Sequence, residues 1–169
     1  MEGVTFSAPV PLLIEHNVSQ FTCGELSLDN WLRDRALKNE ISGATRTYVV
    51  CSKCGNVAGY YSLAIGNIEH KFMPGSIKRN MPQPIPAMLL ARLAVDLRYI
   101  NQSIGTSMLQ DAIMRTFRVA DIAGVRMLLV HALHERAATF YCKRGFVVSP
   151  FDPLILYLVL NNAYSNKVC

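Results

Sequence analysis

The amino-acid sequence predicts a mixed α/β (α+β) fold in which a central sheet carries helices on both of its faces. Apolar runs of strand length alternate along the chain with stretches whose apolar residues recur at helical spacing. The composition, 51% hydrophobic and 17% charged, is that of an ordinary globular protein rather than a disordered one. At 169 residues the chain can bury one substantial core. We therefore assign residues 1–160 to a single domain and residues 161–169 to a polar C-terminal tail.

The first part of the chain predicts a short strand and one helix. Residues 9–16 are expected to form an edge strand, since the two prolines of this segment stand near its start. From Leu26 to Ile41 an apolar stripe at helical spacing predicts a helix. Ser27 is its expected N-cap, and Gly43 follows its expected end.

A β-hairpin is predicted next. Residues 45–51 and 57–68 are rich in β-branched and aromatic side chains, and a polar turn separates them. The turn holds a C-x-x-C pair, Cys51 and Cys54, which can serve zinc or redox chemistry. Zinc needs two further ligands at suitable spacing, and the other three cysteines form no second pair of this kind. We therefore interpret the pair as incidental to the turn and predict no metal site.

Residues 71–86 contain four prolines and one glycine, which predicts a loop with about one helical turn. The basic cluster of Lys78 and Arg79 stands just before the central strand. Such a cluster is either solvated surface or part of a functional rim, and its position keeps both interpretations open.

The central segment, residues 88–117, is the one around which the prediction is organised. Residues 88–95 form an apolar run interrupted only by Arg92, which fits a strand covered on both faces. After a polar turn, the apolar positions of residues 108–120 recur on one face of a helix. Strand, tight loop and helix is the geometry that directs backbone N–H groups and the positive end of a helix toward a phosphate.

The last part of the chain predicts a strand, a helix and two further strands. Residues 125–133 are an almost continuous apolar run. Residues 134–144 follow as a helix that Gly145 ends. Residues 146–149 and 154–160 then complete the predicted sheet.

Charge and targeting signals narrow the possible locations and partners. The net charge of +5 and the pI near 9.1 fit either a solvated basic surface or an anionic partner such as a nucleic acid. No apolar run approaches the roughly 20 residues that span a bilayer. The first residues lack a basic segment followed by an apolar core. We expect a cytoplasmic protein without membrane association, whose five scattered cysteines remain free thiols.

Two motifs resemble the signatures of the GNAT N-acetyltransferases. Residues 100–105, INQSIG, align with the Arg/Gln-x-x-Gly-x-Gly/Ala loop of that family, which they match at Gly105 and leave at Ile100 and Ser103. Residues 137–146, AATFYCKRGF, match the second signature, A-x-x-F-Y-x-x-x-G-F. The order of the motifs, and of the predicted elements β-α-β-β-β-α-β-α-β-β, extends the resemblance to nearly the whole chain.

Within this superfamily the sequence is similar to the TacT-like group, GNAT toxins of bacterial toxin–antitoxin pairs. The segments that carry the similarity are GATRTYVV, GYYSLA, RNMPxPIPxxxLARLAVD and VHAL…FY…GF. The resemblance implies the GNAT fold, with a mixed sheet of about six or seven strands flanked by about four helices. It also implies an acetyl-CoA-dependent enzyme that acetylates the α-amino group of aminoacyl-tRNA and so blocks translation. A ribbon-helix-helix antitoxin and a homodimer are the implied partners.

The resemblance assigns Tyr141 to catalysis. In this family the tyrosine of the FY pair protonates the departing coenzyme A thiolate, and a phenol with a pKa near 10 suits a thiolate whose conjugate acid has a pKa near 8.5. The alternative is that Tyr141 is a core aromatic residue, as Phe140 beside it is.

The implied contacts to acetyl-CoA fall on the central strand, the loop and the start of the helix. The backbone of the strand is expected to hold the pantetheine arm through Leu93, Ala94 and Val95. The pyrophosphate is expected at Gln102, Ser103, Ile104, Gly105, Thr106 and Ser107. Arg98 is a further candidate for positive charge, and its alternative is a solvated turn residue.

The tRNA side of the implied reaction needs cations at the rim of the site. The candidates are Arg33, Arg35, Lys38, Arg46, Lys78, Arg79 and Arg92. A charge at Arg92, within an apolar strand, is costly unless it is exposed at the mouth of the site or paired, for example with Asp96.

A strong general base is not required by this chemistry. The pKa of an α-amine lies near 8, and the neighbouring ester lowers it further, so much of the amine is neutral at cellular pH. The candidates in the sequence are Glu69, His131, His134 and Glu135, each of which also fits a surface or structural role.

Two other hypotheses stay open at this point. A GNAT enzyme that acts on a protein N-terminus or a small amine needs no basic rim, so charge reversal at Lys78 and Arg79 would leave its rate unchanged. A catalytically weakened GNAT-like partner in a toxin–antitoxin repressor complex would follow from the departures at Ile100 and Ser103. In that case, restoring the motif residues at those two positions would create an affinity for the cofactor.

Overall fold

The computed structural model describes residues 5–161, so the C-terminal tail predicted for residues 161–169 lies almost entirely outside the described residues. The strands of the described chain are Val10–Pro11 (β1), Arg46–Cys51 (β2), Val57–Ile68 (β3), Ile85–Val95 (β4), Met127–His131 (β5), Val147–Ser149 (β6) and Asp152–Val159 (β7). The helices are Leu26–Asp34 (α1), Ala36–Ser42 (α2), Gly75–Lys78 (α3), Ile104–Ala120 (α4) and Glu135–Cys142 (α5).

The strands form one mixed sheet in the order β1-β2-β3-β4-β5-β7-β6. Strands β1, β2 and β3 pair antiparallel, as do β5, β7 and β6. Strand β4 pairs with β5 in parallel, with Ala87 opposite Met127 and Leu90 opposite Val130. The predicted fold class and the seven predicted strands are confirmed, whereas the helices differ from the predicted order, since α1 and α2 replace one helix and α3 is added between β3 and β4. No helix among the described residues is long and apolar enough to cross a membrane.

The chain divides into two compact units. The first contains the chain up to Ala64 together with Arg92–Ala112, and the second contains Ile65–Ala91 together with the chain from Ile113 onward.

In the first unit, α1, α2 and the edge of the sheet enclose a core that includes Phe21, Leu32, Ala36, Val49 and Tyr60. All five side chains are buried. The predicted start of β3 at residue 57 is confirmed, and the predicted edge strand shortens to β1.

The single helix predicted over residues 26–41 is wrong, because the structure has two helices there. Arg35 adopts φ −122°, outside the helical region, and separates α1 from α2. No glycine or proline stands at this break, so the apolar period runs through it without a signal. The N-cap is Glu25 rather than Ser27, whereas Gly43 does end the second helix with a left-handed φ of 79°.

The first half of α4 lies close against β3. A Cβ atom built on Gly59 would stand 2.9 Å from Cε of Met108 and 3.0 Å from Cγ2 of Ile104. The missing side chain at this position is therefore what allows the helix to approach the strand. One turn further along α4, the Tyr61 hydroxyl donates a hydrogen bond to the Asp111 carboxylate, which fixes the helix on the strand.

In the second unit the core lies around β5 and β7. It includes Ile68, Met73, Ile85, Met127 and Leu129, all of them buried. The strands predicted over residues 125–133, 146–149 and 154–160 are present with shifted ends.

The predicted loop over residues 71–86 holds more helix than expected. A 3₁₀ turn spans His70–Phe72 and α3 follows it. The predicted helix over residues 134–144 begins one residue later, because His134 is its N-cap and accepts a hydrogen bond from the Ala137 N–H at 3.2 Å.

Candidate active site

The loop between β4 and α4 contains left-handed backbone, which is uncommon for residues other than glycine. Two non-glycine residues in it are left-handed, Asn101 with φ 61° and Ser103 with φ 60°. Ser103 stands where the GNAT motif has glycine, and its backbone adopts the conformation that glycine favours. Helix α4 begins at the next residue and runs for 17 residues. Ser103 therefore has a conformation that the glycine of the motif could also adopt, and the binding of a phosphate by this loop stays a prediction.

A cleft with a volume of about 620 Å³ opens beside this loop. Four of the residues predicted to hold the pyrophosphate line it: Gln102, Ser103, Ile104 and Ser107. The segment from Thr5 to Pro9 and Val50 also line this cleft. The other two residues of the predicted set, Gly105 and Thr106, lie half-buried in the first turn of α4.

The residues predicted to contact the pantetheine arm are the last three of β4. Ala94 is buried, and Leu93 and Val95 are half-buried. A backbone contact to a ligand at these positions stays a prediction.

Arg98 is held by a buried carboxylate. Its Nε and Nη2 donate to the two carboxylate oxygens of Asp96, each at 2.9 Å, and Asp96 is fully buried. The carboxylate also accepts the backbone N–H of Thr22 at 3.2 Å. Burial alone would raise the pKa of Asp96, but the hydrogen bonds from Arg98 and Thr22 outweigh it and lower that pKa. Arg98 thus anchors the turn that leads into the loop, and its contact with a phosphate stays a prediction.

Tyr141 lies on α5 in an aromatic cluster. Its side chain is 7% exposed, and its ring stands edge-on to Phe140 at 5.2 Å and to Phe146 at 5.5 Å between centroids. The hydroxyl has no hydrogen-bond partner within residues 5–161. Burial raises the pKa of Tyr141 well above its ordinary value near 10. The ring packs as a core residue does, while the hydroxyl keeps its proton and remains available to a ligand.

The four candidate bases fall into two places. Glu69 and His131 line one cleft of about 420 Å³, which also contains Asp152. Glu69 is engaged with Lys71, at 3.3 Å between Oε2 and Nζ. His134 and Glu135 instead belong to the start of α5, where the histidine is the N-cap. The structural alternative is therefore confirmed for His134.

The seven candidate cations for tRNA differ in what their side chains already bind. Arg33 donates to the carbonyl oxygen of Phe21 at 2.8 Å and to Asn30, and Arg46 is paired with Glu40 at 3.3 Å. Arg35, Lys38 and Arg79 are exposed, and Lys78 is half-buried.

Arg92 has a different neighbour from the one expected. Its guanidinium lies over the ring of Trp31, with 4.0 Å between Cζ and the ring centroid. The proposed pairing of Arg92 with Asp96 is wrong, because that carboxylate is taken by Arg98. Burial lowers the pKa of Arg92, and the nearby Tyr60 counteracts this in part.

The turn with the C-x-x-C pair carries free thiols at Cys51 and Cys54, and Cys23 and Cys142 are free as well. Burial is the main cause that raises the pKa of Cys51. No group of three or more potential metal ligands occurs within the described part of the chain.

Two features of the site escape sequence reasoning. The segment from Thr5 to Pro9 lines the cleft beside the loop, although nothing in its composition marks it. Trp31 supports Arg92 from a distant helix, and a tryptophan in an apolar helix stripe looks like any core residue. By contrast, the pairing of Asp96 with Arg98 had a signal, an acid and a base two residues apart in a tight turn.

Comparisons with known proteins give relatives that align over most of the chain. The sequence is 45% identical over 158 residues to a tRNA-acetylating toxin of Mycobacterium tuberculosis, across 94% of this chain and 95% of that protein. It is 28% identical over 153 residues to a probable toxin TacT of Sinorhizobium fredii, across 85% of this chain and 84% of that protein. Among solved structures, AtaT complexed with acetyl-methionyl-tRNAfMet aligns with a TM-score of 0.84 at 25% identity, over 98% of each chain. No family model matches the sequence.

Proposed function

The chain belongs to the tRNA-acetylating toxins, the TacT-like group of GNAT acetyltransferases, and we propose that it moves the acetyl group of acetyl-CoA to the α-amino group of an aminoacyl-tRNA. Acetylation of that amine removes the nucleophile that peptide-bond formation needs, so translation stops. The observation that carries the proposal is the 45% identity to a tRNA-acetylating toxin across 94% of the chain. The geometry of the β4–α4 loop and of Tyr141 is consistent with it.

In the proposed reaction the neutral amine nitrogen forms a bond to the thioester carbonyl carbon, and the carbon–sulfur bond breaks. The sulfur leaves with the electron pair and accepts the phenolic proton of Tyr141. The new amide nitrogen releases its extra proton to water, and Tyr141 regains a proton from solvent. A largely buried tyrosine whose pKa is raised, and whose hydroxyl has no hydrogen-bond partner within residues 5–161, supports this role, because the phenol remains protonated until the thiolate appears.

Acetyl-CoA is the expected acetyl donor, and the β4–α4 loop fits its diphosphate. The left-handed backbone at Asn101 and Ser103 precedes the N-terminus of a 17-residue helix, which favours negative charge. Residues 102–107 are the proposed diphosphate contacts, and the backbone of residues 93–95 is the proposed contact for the pantetheine arm.

Charged tRNA is the expected acceptor, and cations without an internal oxygen partner are the ones that can serve its phosphates. Arg35, Lys38 and Arg79 are exposed. Arg33 and Arg46 already donate to backbone oxygens of their own unit, at 2.8 and 2.9 Å, so we rank them below the other three.

We further infer that a ribbon-helix-helix antitoxin neutralises this protein, that the protein forms a homodimer, and that it acts in the cytoplasm, where charged tRNA is found. The support is family membership and the basic surface implied by the net charge of +5, which suits an acidic inhibitory segment.

The test is transfer of labelled acetyl groups from acetyl-CoA to tRNA charged with each amino acid, with purified protein and the Tyr141→Phe variant. Uncharged tRNA is the control, since it has no α-amine. We expect labelled acetyl-aminoacyl-tRNA from the wild type for one or a few amino acids, and strongly reduced product from the variant.

Other outcomes select the alternative hypotheses. Acetylation of a peptide or small amine without any acetylation of charged tRNA would assign the enzyme to that acceptor class. No binding of acetyl-CoA in a calorimeter would leave a GNAT-shaped partner protein without activity. The left-handed backbone of Ser103 argues against this last outcome, because it supplies the conformation expected of the missing glycine.

A further inference from the structure

Arg92 is a half-buried cation without an oxygen partner. It lies on β4, immediately before the three residues proposed to contact the pantetheine arm. Within residues 5–161 its side chain makes no hydrogen bond and no ion pair, and its guanidinium lies over the ring of Trp31. A guanidinium removed from water usually acquires a carboxylate or carbonyl partner, since an unpaired buried charge is costly. This side chain therefore has donors to offer to a group outside the described chain.

Three other arginines of the same unit are satisfied internally, while Arg35 is exposed to solvent. Arg33 donates to a backbone carbonyl and to Asn30, Arg46 is paired with Glu40, and Arg98 is paired with Asp96. These three arginines are held by oxygen acceptors, whereas Arg92 is held by an aromatic ring.

Trp31 belongs to a stack that holds it in place. Its ring lies nearly parallel to that of Tyr60, at 5.9 Å between centroids and 11° between planes. Tyr60 is fully buried, stands edge-on to Phe21, and donates its hydroxyl to the carbonyl oxygen of Leu28 at 2.8 Å. Leu28 and Trp31 both belong to helix α1. The hydrogen bond from Tyr60 to Leu28 therefore connects Tyr60 to the helix that carries Trp31.

The stack fixes the position of the guanidinium and leaves its nitrogen donors available. A guanidinium held against an aromatic face by a cation–π contact keeps the five N–H donors in its own plane. Such a fork suits the paired oxygens of a phosphate or carboxylate. Because the side chain is already ordered by Trp31, less rotamer entropy is lost when an anion binds.

We propose that Arg92 binds a phosphate of the acceptor end of the tRNA and that Trp31 is the positioning residue that holds it for this contact. The inference rests on the proposed function. A coenzyme A phosphate has the same chemistry, but residues 93–95 separate Arg92 from the loop that is proposed to bind the diphosphate. A phosphate at Arg92 is therefore expected on the acceptor side of the thioester, where the tRNA arrives.

The test compares steady-state kinetics of the wild type, Arg92→Gln, Trp31→Leu, Trp31→Phe and the Arg92→Gln/Trp31→Leu double variant. The acceptors are charged tRNA and an amino-acid ethyl ester, which presents the same α-amine without phosphates. For charged tRNA we expect Arg92→Gln to raise KM by about tenfold with kcat little changed, the effect of one lost charge-assisted hydrogen-bond pair. Trp31→Leu should raise it by roughly threefold to tenfold and Trp31→Phe by less, since the indole is the best cation–π partner.

The further readouts separate positioning from a merely structural role. For the ethyl ester, KM should be the same in all variants. The slope of log(kcat/KM) against log salt for charged tRNA should fall by roughly 0.7 to 0.9 in Arg92→Gln, as expected for one lost phosphate contact. The double variant should match Arg92→Gln alone, because Trp31 acts through Arg92. Arg92→Gln retains the aromatic stack, so the test does not depend on the folding of Trp31→Leu.

Each contrary outcome has a distinct meaning. If the wild type acetylates no charged tRNA, the proposed function fails and this inference fails with it. If the wild type acetylates charged tRNA and Arg92→Gln leaves its KM unchanged, the inference alone is overturned. If Arg92→Gln raises KM for acetyl-CoA and not for tRNA, the phosphate belongs to the coenzyme and the assignment to tRNA is wrong. An added effect of Trp31→Leu in the Arg92→Gln background would overturn the positioning role of Trp31.

Discussion

The carboxylate of Asp96 and the guanidinium of Arg98 are joined by two parallel hydrogen bonds, each 2.9 Å long, at the point where β4 ends. Asp96 is fully buried, while the side chain of Arg98 is 42% exposed. The same carboxylate accepts the backbone N–H groups of Arg98 and Thr22. Because four donors converge on one carboxylate, the entry to the β4–α4 loop is fixed before any ligand binds.

Acid should destabilise the fold through Asp96. Its pKa is lower in the folded protein than in the unfolded chain, so the charged carboxylate contributes stability above the unfolded pKa near 3.9. That contribution is lost as the pH falls below the unfolded value and through the folded one. We expect the free energy of unfolding, measured in urea between pH 3 and pH 7, to drop at the acidic end.

The matched variant for this prediction is Asp96→Asn. It should be less stable than the wild type at pH 7 by roughly 2–3 kcal/mol, because the buried amide cannot satisfy Arg98 as the carboxylate does. Its stability should also fall less steeply in acid. Equal acid slopes for the two proteins would remove Asp96 as the cause.

Substitutions at Ser103 should separate backbone shape from side-chain chemistry. Ser103→Gly keeps the left-handed backbone without a Cβ penalty, so acetyl-CoA affinity should be retained or increased. Ser103→Val places a β-branched residue at φ 60° and should weaken acetyl-CoA binding by about tenfold, in line with a strain of about 1–2 kcal/mol. Calorimetric titration with acetyl-CoA measures the affinity of both variants. Equal affinity in the two variants would contradict the proposal that the β4–α4 loop binds the diphosphate.

Tyr141→Phe should remove catalysis and spare the fold. The phenylalanine ring can keep the contacts with Phe140 and Phe146, and the lost hydroxyl has no hydrogen-bond partner within residues 5–161. We expect kcat to fall by about 10²–10⁴-fold, the usual range for loss of a general acid. The dissociation constant of acetyl-CoA and the urea midpoint should stay close to those of the wild type. A variant that unfolds early would instead indicate a structural role for the hydroxyl.

The pH dependence of the rate should rise and then level off. The amine must be neutral to attack, so kcat/KM should increase through the pKa of the acceptor amine. Tyr141 must be protonated to donate, and because burial raises its pKa, its loss of the proton should not reduce the rate below about pH 10. A decline between pH 8 and pH 9.5, measured on the ethyl ester to avoid tRNA deacylation, would exclude Tyr141 as the acid.

Sequence periodicity predicted the sheet well because its strands are bounded by strong signals. The limits of β3 at residues 57 and 68 are confirmed, since a polar turn precedes them and Glu69 follows. The break between α1 and α2 at Arg35 could not be predicted in this way, because local propensity continues through it. Contacts between distant segments were equally out of reach. Trp31 under Arg92 joins positions 61 residues apart, and no spacing rule reports such a pair.

In the β4–α4 loop the sequence was misleading in a different way. The departure from the motif at Ser103 suggested an altered loop, although the backbone there has a conformation that glycine favours. Ser103 departs from the sequence motif, which has glycine at this position. In the structure, however, Ser103 adopts a left-handed backbone conformation, which glycine also adopts readily. A sequence motif specifies side chains, whereas the orientation of the backbone N–H groups in a loop depends on its dihedral angles. The two can diverge wherever a small polar residue accepts a positive φ.

Gly59 bears on the start of helix α4, which follows the loop proposed to bind the diphosphate. A Cβ at this position would come within 3.0 Å of the side chains of Met108 and Ile104, so a larger residue requires those side chains to shift. The thioether of Met108 can turn aside, whereas the β-branched side chain of Ile104 has less freedom in a helix. The tolerance for a side chain at position 59 is therefore limited mainly by Ile104, the first residue of the helix whose N-terminus is proposed to face the diphosphate.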